Sequence, residues 1–384
     1  MTKITAHWLD DENTQRVCGV LTDAGAQALM VGGCVRNTLL GQPVSDIDIA
    51  TDAVPDHVMK LAGDAGIKAV PTGIEHGTVT LVSGGTPYEV TTFRRDVETD
   101  GRRAVVAFSE TVEDDAARRD FTMNALYARP DGTILDPIGG LPDLRARHVR
   151  FIGSAEDRIR EDYLRSLRYF RFHAWYGDAA NGMDADAIAA IAANLDGLDM
   201  VSHERIGAEF LKLLSAPDPA PAIAGMRSTG VLFRVLPGAD DRALAPLIAL
   251  ETEAIVRPDP IRRLAALGGA DVSDHLRLKK ADARQLDRLR DGVSCTMPAR
   301  ELGYRLKEKT AIDVLLLRCA FSDQHWNSDA AHDVGSGGRA VFPVAAKDLM
   351  PPFSGAELGA RLAELENRWI ESGFTLTRNN LLEL

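Results

Sequence analysis

The sequence predicts an α+β protein: a mixed head of strands and helices followed by an all-helical neck, body and tail. Two observations lead to this fold class. Short strand patterns separated by glycine turns crowd the first 150 residues, and beyond them apolar residues recur almost entirely at helical spacing. A chain of 384 residues is longer than one core usually serves. We therefore expect a head at 1–150, a neck at 151–215, a body at 216–326 and a tail at 327–384.

The head alternates between the two periodicities. Helical spacing predicts helices at 12–28, 35–41, 55–66 and 112–128. Short apolar or alternating runs predict strands at 28–33, 45–51, 68–73, 76–85 and 87–93, and a hairpin at 131–140. Between them, residues 94–106 are polar, charged and glycine-containing, which predicts a mobile loop.

Helical patterns fill the rest of the chain. The first is a long helix at 154–177, with Ser154 as its N-cap. Others are predicted at 184–195, 204–216, 218–237, 281–291 and 354–373. The glycine-rich stretch 327–339 predicts a loop before the last of them.

Composition narrows the class of protein. With 45% hydrophobic and 26% charged residues the chain is globular, and no apolar run reaches the 18 residues of a membrane span. A net charge of −12 argues against indiscriminate nucleic-acid binding, which depends on neutralising phosphates. The four cysteines are scattered without metal-ligand spacing, so we expect reduced thiols and a cytoplasmic protein.

Two carboxylates in the head are candidates for metal binding. Asp46 and Asp48 lie two apart on a predicted strand, so both side chains leave the same face. Mg²⁺ prefers oxygen ligands and usually binds one or two carboxylates together with substrate phosphates. The turn at Gly32 and Gly33 lets backbone N–H groups approach an anion, and Arg36 adds a cation. Alone, however, an Asp-x-Asp pair is more often a solvated strand face.

The order of these features is more specific than any one of them. Strand, Gly-Gly turn, short helix and Asp-x-Asp strand together resemble the nucleotidyltransferase signature of the polymerase-β superfamily. Five ordered stretches are similar to motifs A to E of the class II tRNA nucleotidyltransferase and bacterial poly(A) polymerase family: GGCVRNTLLGQPVSDIDIAT, RRDFTMNALY, DPIGGLPDL, EDYLRSLRYFRF and ERIGAEFLKLL. One departure is Asn37, where the family usually has aspartate.

The resemblance implies roles for individual residues. Asp46, Asp48 and Glu89 would be catalytic, with Mg²⁺ on Asp46 and Asp48. The nucleotide would be bound by Gly32, Gly33, Arg36, Arg119, Asp120, Asn124, Asp162, Arg165, Arg168 and Arg171. Glu204 and Arg205 would be structural, bracing the nucleotide-binding helix. The stretch 94–106 matches a flexible loop that helps the family's pocket switch between bases.

Asp162 and Arg165 would select the base. In the family the corresponding pair reads the Watson–Crick edge, with aspartate accepting from an exocyclic amine and arginine donating to a ring acceptor. Cytosine and adenine both offer an amine beside an acceptor. On the residues alone, the pair fits equally an i,i+3 ion pair on one helix face.

A basic segment far along the chain is a candidate RNA-binding surface. Residues 277–309 contain ten basic and five acidic residues, a net charge of +5. A helical basic strip can hold an RNA backbone through phosphate contacts, although a solvated helix face fits as well. We expect Arg277, Lys279, Lys280 and Arg284 to bind RNA.

The expected function is addition of C, C and A from CTP and ATP to the 3′ end of tRNA by a Mg²⁺-dependent monomer without membrane association. The stretch GIEHGT resembles the CCA-adding type rather than the basic signature of poly(A) polymerases. A poly(A) polymerase and a CC-only or A-only enzyme stay open. A catalytically silent RNA-binding protein is a further alternative, and the Asp46 and Asp48 pair argues against it. A nucleotidyltransferase for small molecules is another, and the long helical remainder argues against it.

Overall fold

A computed structural model describes residues 2–100 and 103–384 of the chain. The chain divides into two compact units, Met1–Pro237 and Gly238–Leu384. Among the described residues, no helix has the length and apolar character needed to cross a bilayer. The division into head, neck, body and tail remains a prediction.

A seven-stranded sheet organises the first unit, with strand order β3-β4-β5-β2-β1-β8-β9. β2 runs parallel to β5, and the other neighbours in the sheet are antiparallel. A separate two-stranded ribbon is formed by β6 and β7. The strands are β1 (Leu29–Val31), β2 (Asp48–Thr51), β3 (Lys68–Gly73), β4 (Thr78–Ser83), β5 (Thr86–Thr92), β6 (Arg94–Asp100), β7 (Arg103–Phe108), β8 (Tyr127–Ala128) and β9 (Ile134–Leu135).

Twelve helices of the first unit are described. They are α1 (His7–Asp10), α2 (Glu12–Thr22), α3 (Gly33–Leu39), α4 (Pro55–Asp64), α5 (Val112–Ala117), α6 (Leu141–Arg145), α7 (Ala155–Glu161), α8 (Leu164–Tyr176), α9 (Ala185–Ala193), α10 (His203–Leu214), α11 (Ala220–Ser228) and α12 (Val231–Val235). A buried cluster that includes Leu29, Ala50, Phe93 and Tyr127 joins the sheet to the segments around it.

The described part of the second unit is helical, as predicted. Its helices are α13 (Leu244–Glu253), α14 (Pro260–Leu267), α15 (Val272–His275), α16 (Lys280–Ser294), α17 (Ala299–Leu306), α18 (Glu308–Ser322), α19 (Ser328–Arg339), α20 (Gly355–Glu371) and α21 (Arg378–Leu382). Towards its C-terminal part, Leu365, Trp369 and Leu381 form a second buried cluster. The α+β fold class, a mixed head followed by helices, is therefore confirmed.

Residues 94–106 were predicted to form a loop, but they mostly form the paired ribbon of β6 and β7, so this prediction was wrong. A two-stranded ribbon pairs the backbone groups that face between its strands, and this pairing requires no alternation of apolar residues. Gly101 and Arg102 lie outside the described residues. The role of this ribbon in base switching stays a prediction.

The predicted helix at 112–128 was also wrong beyond Ala117, where α5 ends. The chain then passes through a 3₁₀ turn at Thr122–Asn124 into β8. Asp120 accounts for the break, because its carboxylate accepts from the backbone N–H of Phe121 at 2.9 Å. Such local side-chain bonds compete with helical ones.

The long helix predicted at 154–177 is two helices, α7 and α8. Ser154 caps α7 as expected, since its hydroxyl accepts from the N–H of Asp157. Asp162 takes extended backbone angles between them, and its Oδ1 accepts from the N–H of Leu164 at 3.2 Å. The break therefore places a carboxylate at the start of α8, where helix N–H groups lack partners.

The predicted loop at 327–339 was wrong, because residues 328–339 form α19. One glycine on each helix, Gly337 of α19 and Gly303 of α17, allows the two helices to pack closely. A Cβ on Gly337 would lie 1.8 Å from the carbonyl oxygen of Arg300, and one on Gly303 would lie 2.0 Å from that of Val334. Only glycine allows two helix backbones to approach this closely, so tertiary packing overrides the loop tendency of the sequence.

Candidate active site

One cavity in the first unit gathers almost all of the predicted site residues. Its volume is about 710 Å³, and its walls come from the β1–α3 turn, the start of β2, the stretch after α5, and helices α8 and α10. Of the predicted residues, its lining contains Gly32, Gly33, Arg36, Asp46, Asp48, Arg119, Asp120, Asn124, Asp162, Arg165, Arg168 and Arg171. Their individual roles stay predictions.

Glu89, the third predicted catalytic residue, does not line the cavity but lies beside it. It is exposed on β5 and is paired in register with Asp48 on the parallel strand β2. Parallel neighbours in register send their side chains to the same face of a sheet. The structure therefore places Glu89 next to Asp48.

The carboxylate pair differs from the sequence prediction in one respect. β2 begins at Asp48, so Asp46 lies two residues before the strand, exposed, and the assignment of both to a strand was wrong. Ile47 and Ile49 are nevertheless buried, which leaves Asp46 and Asp48 both in the cavity lining. Burial raises the pKa of Asp48, and the nearby carboxylates of Glu89 and Asp46 raise it further, while Arg119 opposes them.

This accumulation of negative charge fits a divalent cation. Within residues 2–100 and 103–384, no three His, Cys, Asp or Glu side chains form a ready metal cage. Mg²⁺ seldom uses such cages, because it keeps several waters and takes phosphate oxygens along with one or two carboxylates. Asp46 and Asp48 supply the hard oxygen donors for that mode of binding.

The glycine turn brings the backbone close to an arginine. Gly32 has φ of +69°, a left-handed value that favours glycine, and a Cβ there would lie 3.6 Å from Nη1 of Arg119. The other side of this guanidinium is held by Asp115, with Nη2 donating to Oδ2 at 2.8 Å, and by the Tyr127 hydroxyl at 3.1 Å from Nε. Arg119 is therefore fixed beside the turn.

Arg36 forms a buried wall of the cavity. Its Nη2 donates to the Tyr176 hydroxyl at 2.8 Å and its Nη1 to Oδ1 of Asn124, while the guanidinium lies 4.0 Å from the centre of the Tyr176 ring. Burial lowers its pKa. The predicted phosphate contact is therefore assigned to a guanidinium, that of Arg36, which is already held by an aromatic ring and an amide.

Asp120 joins the stretch after α5 to the first turns of α8. Nε of Arg168 donates to its Oδ2 at 2.8 Å, and Nδ2 of Asn124 donates to its Oδ1, also at 2.8 Å. The predicted contact of Asp120 with a nucleotide competes with these bonds. The geometry favours a positioning role, in which Asp120 orients Arg168 towards the cavity.

Asp162 and Arg165 do not form the i,i+3 ion pair that was the alternative interpretation. Asp162 is held instead by Arg205 of α10, with 2.6 Å between Nη2 and Oδ2 and 3.2 Å between Nη1 and Oδ1. Nη1 of Arg165 donates to Glu161 and to the carbonyl oxygen of Arg158. Both groups of the predicted base-reading pair are thus oriented before a base binds.

The cavity is strongly cationic in a chain of net charge −12. Eight arginine and lysine side chains line it against four aspartates. A concave site with an excess of one charge concentrates ligands of the opposite charge. A triphosphate suits these walls, because two of the four aspartates, Asp120 and Asp162, are paired with arginines and two, Asp46 and Asp48, are left for a metal.

Comparisons with known proteins agree with this geometry. The family model described as "Poly A polymerase head domain" matches residues 28–150, and that described as "Probable RNA and SrmB- binding site of polymerase A" matches residues 182–242. The human (Homo sapiens) protein named "CCA tRNA nucleotidyltransferase 1, mitochondrial" is 32% identical, over 92% of this chain and 85% of that protein. The chain belongs to the CCA tRNA nucleotidyltransferase family.

Two further similarities support membership of the CCA tRNA nucleotidyltransferase family. A CCA-adding enzyme of Geobacillus thermodenitrificans is 44% identical over 56% of this chain and 52% of that protein. The crystal structure of the Bacillus stearothermophilus CCA-adding enzyme in complex with CTP superposes with a TM-score of 0.75 at 27% identity, covering 94% of both chains. The family resemblance expected from the ordered motifs is confirmed.

Sequence reasoning missed several residues that shape the cavity of this CCA tRNA nucleotidyltransferase family member. Arg205 was assigned a structural role only, yet it lines the cavity and holds Asp162. Glu209 is buried and accepts from Nε of Arg171 at 2.5 Å. Both lie within ERIGAEFLKLL, so the motif itself was the available signal. No comparable signal pointed to Tyr176.

The predicted RNA-binding residues lie in the second unit. Arg277, Lys279, Lys280 and Arg284 are exposed, at and just before the start of α16, while Leu286 and Leu289 are buried in the same helix. The basic segment 277–309 is spread over three helices, α16, α17 and α18. These four residues remain predicted RNA contacts.

Proposed function

We propose that the protein is a template-independent RNA nucleotidyltransferase that uses Mg²⁺, CTP and ATP to add C, C and A to the 3′ end of tRNA. The observation that supports this most is one cavity that contains a carboxylate pair, an excess of arginines and a pre-oriented Asp162. Family membership supports the same reaction class, since the relatives are named for CCA addition.

In this proposal each wall of the cavity has one task. Asp46 and Asp48 hold Mg²⁺, which when bound would neutralise the triphosphate and lower the pKa of the RNA 3′-hydroxyl. Arg119 and Arg168 bind triphosphate oxygens, and their carboxylate partners keep them in place. The 3′-hydroxyl attacks the α-phosphorus, and pyrophosphate leaves. Positioning and electrostatic stabilisation supply most of the rate in such reactions.

Base selection rests on the groups that Asp162 and Arg165 still offer. Arg205 and the N–H of Leu164 occupy part of the acceptor capacity of Asp162, and a carboxylate has about four acceptor positions. An exocyclic amine of cytosine or adenine can take another. Contacts of Arg165 with the described residues use the two N–H groups of Nη1, which leaves three of its five N–H donors for a ring acceptor.

The product of the reaction tests the proposal directly. A tRNA lacking its 3′ CCA, incubated with the protein, Mg²⁺, CTP and ATP, should gain C, C and A and then stop. Long A tails would identify a poly(A) polymerase instead, and termination after two cytidines a CC-only enzyme. No product at all would contradict the proposal.

The carboxylate assignment has its own test. Asp46→Ala and Asp48→Ala should each lower incorporation by more than about a hundredfold, because the metal and the charges it balances act on the transition state. Asp64→Ala, at an exposed aspartate of α4, is the matched control and should leave incorporation unchanged. Near-full activity of either cavity variant would contradict the assignment of metal binding to Asp46 and Asp48.

Substitution of Asp162 separates base selection from phosphate binding. Asp162→Ala should lower discrimination against UTP by about 10- to 100-fold, the typical effect of losing a hydrogen bond between a charged group and the correct substrate. Competition between CTP and UTP measures this ratio. Glu156→Ala, at an exposed residue of α7, should leave it unchanged. Equal loss of CTP and UTP binding in Asp162→Ala would show that Asp162 does not read the base.

A further inference from the structure

Asn37 lies between the arginine wall of the cavity and the segment that carries Asp46. It follows Arg36 on α3 and is half-buried, whereas Gln42, Pro43, Ser45 and Asp46 of the adjoining segment are exposed. Two hydrogen bonds fasten this segment to Asn37. The N–H of Gln42 donates to the Asn37 carbonyl oxygen at 2.8 Å, and Nδ2 of Asn37 donates to the Pro43 carbonyl oxygen at 2.9 Å.

The partners of the Asn37 side chain fix which of its atoms faces which way. Oδ1 accepts from Nε of Arg36 at 3.2 Å and from Nη2 at 2.9 Å. A guanidinium can only donate and a carbonyl oxygen can only accept. In this chain, where the family usually has aspartate, the position therefore holds a side chain that accepts on one side and donates on the other, as an amide does. A carboxylate would place an oxygen against the Pro43 carbonyl oxygen.

The same bonds continue across the cavity wall to α8. Nη1 of Arg36 donates to Oδ1 of Asn124, whose Nδ2 donates to Asp120 at 2.8 Å, and Asp120 accepts from Nε of Arg168 at 2.8 Å. Because Asn37 is the member that contacts Pro43, it connects this chain of hydrogen bonds to the segment before β2. The exposed segment is thus attached to a largely buried network.

We propose that Asn37 is a positioning residue whose amide holds the segment Gln42–Ile47 against α3 and so sets the place of Asp46 for metal binding. The metal part of this inference rests on the proposed function. The attachment of the segment does not, and it has consequences in protein that holds no metal.

The decisive variant is Asn37→Asp, which keeps the acceptor for Arg36 and removes only the donor to Pro43. Hydrogen exchange in metal-free protein should show faster exchange in a peptide covering 42–47, by about tenfold, the effect of losing one hydrogen bond. Asn37→Ala should show at least the same change. Gln42→Glu adds an equal charge to an exposed position in the same segment and should leave exchange unchanged.

Binding of Mn²⁺, followed by electron paramagnetic resonance with a non-hydrolysable CTP analogue, gives a second readout. Simple electrostatics predicts tighter binding when a negative charge is added near Asp46. The proposal predicts the opposite sign for Asn37→Asp, about tenfold weaker binding, with unchanged or tighter binding in Gln42→Glu. In turnover, the Mg²⁺ concentration for half-maximal rate should rise while the rate at saturating Mg²⁺ stays near that of the unmodified protein.

The outcomes separate this inference from the proposed function. Unchanged exchange at 42–47, or Mn²⁺ binding as tight as before in Asn37→Asp, would overturn the role of Asn37 whatever the enzyme makes. If the unmodified protein fails to add C, C and A while Asn37→Asp still loosens the segment and weakens Mn²⁺, the proposed function fails and the positioning role stands.

Discussion

Asp120 is buried, with 8% of its surface exposed, and three hydrogen-bond donors stabilise its charged form. It accepts hydrogen bonds from the Phe121 N–H, the Asn124 amide and the Arg168 guanidinium. Burial by itself would raise its pKa, but Arg168 and these hydrogen bonds lower the pKa to about 2. The charge of Asp120 is therefore part of the stability of the first unit.

The depressed pKa of Asp120 predicts a pH dependence of stability. A carboxyl with pKa of about 2 in the folded protein and about 3.9 unfolded stabilises the fold by about 2 kcal/mol above pH 4. This contribution is lost as the pH falls from about 4 towards 2. Asp120→Asn should lower the free energy of unfolding at pH 7. Below pH 4, the free energy of unfolding of this variant should depend less on pH than that of the unmodified protein.

Urea unfolding of the two proteins between pH 2 and pH 7 measures this difference. Asp64→Asn, at an exposed residue, should reproduce the pH profile of the unmodified protein. If the free energy of unfolding falls equally steeply with pH below 4 in Asp120→Asn and in the unmodified protein, Asp120 is not the titrating group. Asp115, whose pKa is also held at about 2 by Arg119 and Arg118 against the effect of burial, contributes in the same range.

At this scale the sequence identified residues better than their partners. Ordered motifs placed Arg168 and Asp162 near one another, because the motifs carry chemistry at fixed spacing. The partner of Asp162 is Arg205, 43 residues away, and the partner of Arg36 is Tyr176, 140 residues away. Contacts over such separations depend on how helices pack, which no local pattern contains.

Helices α17 and α19 show how an element can contradict its own composition. Gly335, Gly337 and Gly338 make 327–339 look like a loop, yet Gly337 allows α19 to lie directly on the backbone of α17. A similar competition explains the two helices that ended early, since Asp120 and Asp162 each bond to nearby backbone N–H groups. Strands β1 to β5 were predictable from their short apolar or alternating runs, whereas β8 lies within the stretch that was predicted as a helix at 112–128.

Gly337→Ala is expected to destabilise the second unit by about 3 kcal/mol. The added methyl would meet the carbonyl oxygen of Arg300 at 1.8 Å, so the two helices must separate and lose packing. Differential scanning calorimetry should show a lower transition temperature. Gly359→Ala in α20, where no atom lies within 4 Å, is the matched control and should be neutral or slightly stabilising. Equal transition temperatures in the two variants would contradict the close-packing account.

Across the whole molecule, positive charge is concentrated rather than spread. The chain has a net charge of −12, while the cavity lining and the start of α16 carry exposed or cavity-facing cations. An acidic protein with local basic surfaces is expected to bind a folded RNA of defined shape better than an arbitrary nucleic-acid strand, because the remaining surface repels phosphate.

The salt dependence of tRNA binding tests whether the start of α16 contacts phosphate. Replacing Lys279, Lys280 and Arg284 together by alanine should weaken binding, and each lost phosphate contact should reduce the slope of log K against log salt by about 0.7 to 0.9. Binding titrations at several salt concentrations measure that slope. Lys60→Ala, at an exposed lysine of α4, should leave it unchanged, and CTP affinity should be unaffected in both proteins. An unchanged slope in the triple variant would place the RNA elsewhere.

The glycine contact between α17 and α19 also limits where the chain can be cut. A boundary at residue 326, which the predicted tail domain invites, would remove α19 and uncover the face of α17 that has only hydrogen at Gly303 and the otherwise buried Leu302. Removal of α19 would expose buried apolar surface on α17, including Leu302, and exposed apolar patches promote association between molecules. A protein shortened there should be prone to self-association, whereas shortening after Arg339 keeps the helix pair intact.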